Sequence, residues 1–251
     1  MANETPWLHG KTALVTGAAR RLGAATALEL ARNGAAIVVH YGRSQAEAEQ
    51  VAESARALGA PAWTVAADLA NPAAADDLLD RAVQLAGPID ILVNSASIFP
   101  RGTLATLSPA DFHANIDVNA LAPLVLSRRL FAQGRPGCIV NFLDARITEF
   151  DSDHAGYHLS KRMLFSLTRM MAIEFAPAVR VNAVAPGLIL PPDGEDESYL
   201  DRLAHTNPLG RHGDARDITD AVLFLIRSEF ITGQVIFVDG GRHMKGAMYG
   251  L

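Results

Sequence analysis

A phenol and an ammonium group stand four residues apart in the second half of the chain, at Tyr157 and Lys161. On a helix, residues four apart lie on one face, so the two side chains can interact. A free phenol ionises at about pH 10, and a neighbouring positive charge stabilises the phenolate and lowers that pKa. The spacing therefore predicts that Tyr157 donates a proton near neutral pH and that Lys161 lowers its pKa.

A turn that contains two glycines follows the first apolar run of the chain. The run Thr12–Thr16 predicts a buried strand, and a helical pattern begins shortly after it. Gly17 permits a tight turn out of the strand, Gly23 permits close packing of the helix, and N–H groups at such a helix start bind phosphate. The predicted dinucleotide site at this turn comprises Gly17, Arg20, Arg21, Leu22 and Gly23.

The residues after the second predicted strand indicate which dinucleotide binds. Sites for NAD place an acid there to bind the ribose, but the segment His40–Ser44 contains no acid. Guanidinium and hydroxyl groups bind a 2′-phosphate, whereas a carboxylate would repel it. We therefore expect NADPH as the cofactor, held at this end of the sheet by His40, Tyr41, Arg43 and Ser44, with Arg20 nearby.

Seven apolar runs alternate with longer helical patterns, and these elements must position the polar groups. Strands are predicted at Thr12–Thr16, Ala35–His40, Ala62–Ala66, Ile89–Asn94, Gly137–Phe142, Val179–Val184 and Gln234–Asp239. Such strands, separated by helices, pair in parallel through right-handed crossovers in a sheet covered on both faces. The predicted fold class is α/β, a single Rossmann-type doubly wound domain over residues 1–251 with a parallel sheet of about seven strands and helices on both faces.

Several local signals refine this topology. One long helix is predicted from Pro109 toward Phe131, and Ser44 with Glu47 has the spacing of a capping box. Residues 188–212 are predicted to form a mobile substrate loop, because their first part is rich in prolines and acids. A TIM barrel is the structural alternative, but it would need eight similar strand–helix units, and the helical patterns here are too unequal.

Composition excludes several classes of protein. The chain of 251 residues is 49% hydrophobic and carries a net charge of −5, so we expect neither disorder nor nucleic-acid binding. No apolar stretch has the length of a signal peptide or a membrane span. The lone Cys138 permits no internal disulfide and no cysteine-based metal site. We expect a cytoplasmic protein that binds no metal and no membrane.

The motifs together resemble the short-chain dehydrogenase/reductase family over essentially the whole chain. The resemblance rests on the glycine turn, on Tyr157-x-x-x-Lys161 and on four further matches in order: Asp68-Leu69, Asn94-Ser95-Ala96-Ser97, Asn119 and Pro186-Gly187. It implies that Asp68 and Leu69 contact the adenine and that Asn119 is catalytic. It also implies that Asn94, Ser95 and Ala96, with Pro186, Gly187 and Leu188, line the cofactor, and that Lys161 binds its ribose. A homotetramer is expected from the same resemblance.

Three departures from the common family pattern resemble its pteridine reductase and dihydromonapterin reductase branch. Asp144 stands where most members carry a serine, Arg21 replaces a glycine, and Ser97 precedes Ile98-Phe99. A carboxylate cannot donate a hydrogen bond to a ketone, and it opposes ionisation of the Tyr157 phenol. This resemblance implies reduction of a dihydropteridine by NADPH, with possible weak activity on dihydrofolate. Catalysis would fall to Asp144, Tyr157, Lys161 and Asn119, and substrate binding to Arg21, Ser97, Phe99, Asp144, Tyr157 and Leu190.

Alternatives remain open from the sequence. The same fold can reduce a ketone, such as a 3-oxoacyl thioester, or can serve as a non-catalytic NADP-sensing scaffold. Phe99 can belong to the core, and Asp144 can cap a helix. His154 and His158, with Asp151 and Asp153 nearby, have a spacing that permits a metal, but the sequence places no third histidine or thiol, so both are expected to be ordinary helix residues. The tail from Met244 to Leu251 is expected to fray, although Arg242 and Tyr249 are candidates for contacts near an active site.

Overall fold

The computed structural model describes residues 6–149, 152–192 and 194–249, the last four by their main chain alone. In these residues the strands are β1 (Thr12–Thr16), β2 (Ala36–Tyr41), β3 (Ala62–Ala66), β4 (Ile91–Asn94), β5 (Gly137–Phe142), β6 (Val179–Pro186) and β7 (Val235–Val238). They form one parallel sheet in the order β3-β2-β1-β4-β5-β6-β7. The order reverses between β1 and β4, where open α/β sheets form a crevice at the carboxyl ends of their strands.

Helices connect the strands and cover both faces of the sheet. They are α1 (Arg21–Arg32), α2 (Gln45–Ala57), α3 (Pro72–Ala86), α4 (Pro109–Ile116), α5 (Ala122–Ala132), α6 (Ala155–Glu174), α7 (Glu197–Leu203), α8 (Ala215–Arg227) and α9 (Arg242–Tyr249). Helices α1, α2 and α8 pack on one face, whereas α3, α5 and α6 pack on the other. The predicted doubly wound α/β fold is confirmed.

The core forms on both sides of β1, all of whose residues are buried. Ala13 and Val15 pack toward α1 and α8, and Leu14 packs toward α3 and α5, as the alternation of a strand requires. Complete burial of a leucine stabilises a fold by about 1.5–3 kcal/mol. The register that results aligns Thr16 of β1 with Asn94 of β4, and Asn94 with Asn141 of β5, so the ends of three central strands meet at the crevice.

The predicted helix from Pro109 to Phe131 is divided in the structure. Between α4 and α5 the chain makes a π-helical turn over Asp117–Leu121. Such turns insert one residue into a helix and occur often at functional sites. Here the turn holds Asn119.

Local structure departs from the sequence-based expectations at three places. The segment 188–212, expected to be a loop, contains α7, whose start is capped by Asp196 through the N–H of Ser198, and a 3₁₀ turn at Ala204–Thr206 follows that helix. At the tail, expected to fray, the residues up to Tyr249 form α9, and Gly250 and Leu251 lie outside the described residues. Ser44 gives no capping hydrogen bond to α2. In the part of the chain that the structure describes, no helix has both the length and the apolar character needed to cross a membrane.

Candidate active site

The turn between β1 and α1 places two glycines against neighbouring main chain. Gly17 has a φ of 63°, and a Cβ atom there would lie 2.8 Å from the Cα atom of Ala96. A Cβ atom on Gly23 would collide with the carbonyl oxygen of Gly17. Only glycine permits this close approach, and it leaves the main chain of the turn accessible from the crevice.

The first turn of α1 offers its N–H groups to an anion. Arg20, which precedes the helix, gives no capping hydrogen bond from its side chain, and the first turn contains no acid. Uncapped N–H groups at a helix start attract a negative charge, and the helix dipole adds to that attraction. A pyrophosphate group therefore fits beside Arg20, Arg21 and Leu22.

Arg21 connects this turn to the segment after β6. Its φ of 55° lies in the left-handed region, which costs an L residue about 1–2 kcal/mol. Its guanidinium donates a hydrogen bond of 2.8 Å to the carbonyl oxygen of Pro191. Arg21 thus lies between the predicted phosphate site and the predicted substrate loop, as its two expected roles require.

His40 lies beneath the glycine turn and does not face the crevice. Its Nδ1 accepts a hydrogen bond from the N–H of Gly17, and its Nε2 lies 3.1 Å from the carbonyl oxygen of Ala67. Burial lowers the pKa of His40 to about 4, so the ring is neutral at physiological pH. Main-chain groups use both ring nitrogens, so the His40 side chain supports the glycine turn, and the predicted contact of this residue with the cofactor stays a prediction.

Arg43 and Ser44 follow β2 in an open loop. Arg43 is exposed, and in the described residues neither side chain has a hydrogen-bond or ion-pair partner. Arg20, by contrast, forms an ion pair with Glu47 of α2. Arg43 and Ser44 are therefore the donors available to a phosphate ester at the end of β2.

Two other predicted cofactor contacts are partly structural. Asp68 accepts a hydrogen bond of 3.0 Å from the N–H of Ala70, and the side chain of Leu69 is buried in the core. The predicted contact of Asp68 and Leu69 with the adenine stays a prediction. Tyr41 is half-buried at the end of β2.

A network of buried polar groups joins the ends of β1, β4 and β5. The Nδ2 of Asn94 donates to the Oδ1 of Asn141 at 2.8 Å. The N–H groups of Ser95 and Ala96 donate to the Oγ1 of Thr16 at 3.0 and 3.1 Å. The side chain of Asn94 is buried and supports the turn from beneath, and its predicted contact with the cofactor stays a prediction. Sequence reasoning missed Thr16, whose hydroxyl orders that turn.

The π-helical turn brings Asn119 against the residues after β4. Its Oδ1 accepts hydrogen bonds from the N–H of Ile98 at 2.9 Å and from the Oγ of Ser97 at 3.1 Å. Its Nδ2 donates to the carbonyl oxygen of Ile98 and to the Oγ of Ser160, both at 3.0 Å. Asn119 is fully buried. It acts in this structure as a positioning residue that joins the turn to α6, since its polar atoms are all used.

Asp144 and Tyr157 form a direct hydrogen bond at the mouth of the crevice. The Tyr157 hydroxyl donates to the Oδ2 of Asp144 at 2.8 Å, and the Oδ1 of Asp144 accepts from the N–H of Arg146 at 2.7 Å. Asp144 therefore caps the 3₁₀ turn that follows β5 and also contacts the phenol. Burial, followed by the negative charge of Asp144, raises the pKa of Tyr157 well above its usual value. The phenol stays protonated at neutral pH.

Lys161 lies on the same face of α6 as Tyr157, but its ammonium group does not bind the phenol. Its Nζ donates to the carbonyl oxygen of Phe142 at 2.8 Å and lies 5.6 Å from the centre of the Tyr157 ring. Burial lowers the pKa of Lys161 to about 8. The prediction that Lys161 lowers the pKa of Tyr157 is wrong, because the carboxylate of Asp144 contacts the phenol and the ammonium does not.

Phe99 extends from the end of β4 to the mouth of the crevice, where half of its surface is exposed. One face of its ring stacks on His154 with centroids 3.9 Å apart, and Tyr157 meets it edge-on at 4.5 Å. Phe99 is therefore not part of the core, and its exposed half lies beside His154 and Tyr157. His154, missed as a member of the site, carries no sequence signal beyond its place near Tyr157.

The residues after β6 close the other side of the crevice. A Cβ atom on Gly187 would lie 2.5 Å from the Cβ of Asp239, so Gly187 allows β6 and the residues after β7 to pack closely beside Pro186. Leu188 is buried, and Leu190 is half-buried against the core. The side chain of Leu190 is thus only partly available to a substrate.

The fold and this arrangement define an α/β nucleotide-binding oxidoreductase, and comparison with known proteins gives the family. A family model described as enoyl-(acyl carrier protein) reductase matches residues 17–243. Versicolorin reductase of Emericella nidulans is 34% identical over 93% of this chain and 96% of its own. The 3-oxoacyl-[acyl-carrier-protein] reductase FabG of Staphylococcus epidermidis is 32% identical over 93% and 99%. The chain belongs to the short-chain dehydrogenase/reductase family.

Solved structures extend the comparison to cofactor complexes. FolM alternative dihydrofolate reductase 1 from Brucella canis, complexed with NADP, has a TM-score of 0.90 and 32% identity, covering 96% of this chain and 97% of that one. The angucycline C-6 ketoreductase LanV with bound NADP has a TM-score of 0.87 and 32% identity, covering 94% and 97%. Proteins similar to this chain therefore include both a dihydrofolate reductase and ketoreductases.

Proposed function

We propose that the chain is an NADPH-dependent reductase that converts a dihydropteridine, such as dihydromonapterin or dihydrobiopterin, to the tetrahydro form. The observation that carries the proposal is the hydrogen bond from Tyr157 to Asp144. A carboxylate beside the phenol accepts hydrogen bonds from ring N–H groups, which a pteridine presents. The same carboxylate repels the oxygen of a ketone, which has no hydrogen to donate.

The residues at the nucleotide end fit NADPH. The uncapped start of α1 and the two glycines would hold the pyrophosphate, and Arg43 and Ser44 would hold the 2′-phosphate. Lys161 would bind the nicotinamide ribose after exchanging its hydrogen bond to Phe142. Pro186, Gly187 and Leu188 would lie beside the nicotinamide. Bound NADPH supplies the hydride.

Tyr157 and Asp144 control the proton. Because burial and Asp144 raise the pKa of the phenol, Tyr157 keeps its proton until a strongly basic nitrogen forms at the substrate. The phenol then protonates that nitrogen, next to the carbon that has accepted hydride. Asp144 holds the phenol in place, and solvent at the mouth of the crevice restores the proton.

Phe99 would hold the flat ring. Half of its surface is exposed and Tyr157 touches its ring, so a heteroaromatic ring packed against Phe99 would come within reach of the phenol. Ser97, whose hydroxyl lies on the same turn, and Arg21 would contact the substrate edge or the phosphates. The similarity to FolM alternative dihydrofolate reductase 1 supports this class of substrate.

A ketoreductase is the second candidate, and the similarity of the chain to versicolorin reductase, FabG and LanV favours it. It requires a hydrogen-bond donor to the carbonyl oxygen, and Asp144 stands where such a donor would lie. The two candidates separate in one assay, in which NADPH oxidation is followed at 340 nm with dihydrobiopterin and, separately, with an acetoacetyl thioester. We expect turnover with the dihydropterin; turnover with the thioester alone would overturn the proposal.

We also propose that the chain assembles into a homotetramer. Met163, Met170 and Ile173 form an exposed apolar stripe on α6, and Phe224 of α8 is half-exposed on another side. The edge strand β7 is only partly covered. Two separate apolar surfaces suit the two kinds of interface in a tetramer with 222 symmetry. Light scattering coupled to gel filtration gives the mass; a monomer would contradict the proposal.

A further inference from the structure

The C-terminal helix α9 covers the outer end of the crevice. The Nζ of Lys245 donates a hydrogen bond of 2.6 Å to the carbonyl oxygen of His205, at the end of the segment that contains α7. On its other side, α9 packs on the 3₁₀ turn Ala145–Thr148, directly after Asp144. The helix therefore contacts both the predicted substrate loop and the turn that carries the catalytic carboxylate.

Asp239 fixes the start of α9. Its Oδ1 accepts from the N–H of Gly241 at 2.9 Å, and its Oδ2 accepts from the N–H of His243 at 2.7 Å. The same Oδ2 lies 2.8 Å from the Nδ1 of His243, and the Asp239 side chain abuts Gly187. One buried carboxylate thus joins the turn after β6 to the start of α9, and it holds Arg242 in a defined position.

Arg242 is a half-buried cation without a partner. The charged or ionisable side chains that face it are those of Arg146, Glu149, Asp144 and Tyr199, and burial together with Arg146 lowers the pKa of Arg242. In the described part of the chain, its guanidinium makes no hydrogen bond or ion pair. A desolvated guanidinium is costly unless its donors are used, and this one stands at the mouth of a substrate crevice.

We propose that Arg242 is a specificity-determining residue that binds an oxyanion, a carboxylate or a phosphate, on the substituent of the substrate. The inference rests on the proposed function. Arg242 lies close to Asp144, the partner of Tyr157, so a ring held by Phe99 and Tyr157 would meet the guanidinium through a substituent that extends toward α7 and α9. A guanidinium donates two parallel hydrogen bonds to either oxyanion, so Arg242 favours anionic dihydropteridines over neutral ones.

The experiment compares kcat and KM for three substrates with NADPH. Dihydrobiopterin is neutral, dihydrofolate carries carboxylates, and dihydroneopterin phosphate carries a phosphate ester. Wild type is measured beside Arg242→Gln, Arg242→Lys and Arg169→Gln, the last of which removes an exposed arginine of α6 outside the crevice. We expect Arg242→Gln to raise KM about tenfold for one or both anionic substrates, the size of one charge-assisted hydrogen bond.

In the same variant, KM for dihydrobiopterin and every kcat stay within twofold of wild type. Arg242→Lys keeps part of the preference for anionic over neutral dihydropteridines, and Arg169→Gln keeps all of it. The anionic substrate whose KM rises shows whether Arg242 binds a carboxylate or a phosphate. Equal losses for neutral and anionic substrates, or no loss for either anion, overturn the inference while leaving the proposed function intact. Failure of wild type to reduce any dihydropteridine overturns both.

Discussion

The nucleotide end and the substrate end of the crevice are built in different ways. At the nucleotide end, the groups available to a ligand are main-chain N–H groups of α1 and the open side chains of Arg43 and Ser44. At the substrate end, Asp144, Tyr157, Phe99 and Arg242 come from four separate segments. The nucleotide end therefore depends on backbone conformation, and the substrate end depends on side chains brought together by packing.

This difference predicts which end of the crevice tolerates substitution. A phosphate site made of main chain tolerates changes of most side chains as long as its glycines remain. A site made of side chains can change its chemistry with one substitution, and we expect this at Asp144 beside Tyr157.

The largest effect is expected at the substrate end, from Tyr157→Phe. Removal of the hydroxyl removes the proton donor, and acid–base groups contribute about 10²–10⁴-fold to rate. We expect kcat for the dihydropterin to fall by at least two orders of magnitude, measured by NADPH oxidation. Affinity for NADPH, measured by fluorescence titration, should stay within about twofold; a large loss of affinity would mean that the two ends are not separate.

At the nucleotide end, His40 should make stability depend on pH. Its pKa is lowered from 6.5 to about 4 in the fold, so the unfolded chain binds a proton more readily than the folded chain between those values. The stabilisation is complete above pH 6.5 and is lost as the pH falls toward 4, by about 3 kcal/mol. Urea unfolding at pH 7 and pH 4.5 measures this loss.

A matched pair of variants isolates the contribution of His40. His40→Gln retains a donor and an acceptor but does not titrate. We therefore expect the free energy of unfolding of this variant to fall less steeply as the pH drops from 7 to 4.5. His113→Gln, at an exposed position of α4, should keep the wild-type pH dependence. If His40→Gln lost as much unfolding free energy between pH 7 and pH 4.5 as wild type does, the buried His40 ring would not be the cause of the pH dependence.

A smaller effect is expected from Arg43→Ala, which removes a donor to the 2′-phosphate. One charge-assisted hydrogen bond corresponds to about tenfold or more in affinity, so KM for NADPH should rise by that factor while KM for NADH stays constant. Arg56→Ala, on the far end of α2, is the control. Wild type that uses NADH as well as NADPH would refute the assignment of Arg43 and Ser44.

The sequence allowed prediction of the fold and of the nucleotide turn because both depend on local patterns. Apolar runs of strand length and the glycines at 17 and 23 are visible without a structure. The interruption at Asn119, the helix α7 and the helix α9 were not predicted, because packing between distant segments decides them. The support that His40 gives to the glycine turn was not predicted for the same reason, since its partners Gly17 and Ala67 lie on other segments.

At the substrate end, residue types were predicted better than their interactions. The identities of Asp144, Tyr157 and Phe99 marked residues that the structure brings together, but the spacing of Tyr157 and Lys161 suggested the wrong direction for the phenol pKa. A spacing of four residues gives a shared helix face and does not give the partner of each group. Lys161 bonds to Phe142, a contact between α6 and β5.

The central claim is that Asp144 adapts the crevice to a ring nitrogen instead of a ketone oxygen. The most direct measurement is the ratio of kcat/KM for dihydrobiopterin to that for an acetoacetyl thioester, in wild type and in Asp144→Ser. We predict that the substitution lowers kcat/KM for the dihydropterin about tenfold or more, the size of one hydrogen bond to a charged group, and raises it for the thioester. An unchanged rate with the dihydropterin in Asp144→Ser would contradict the account.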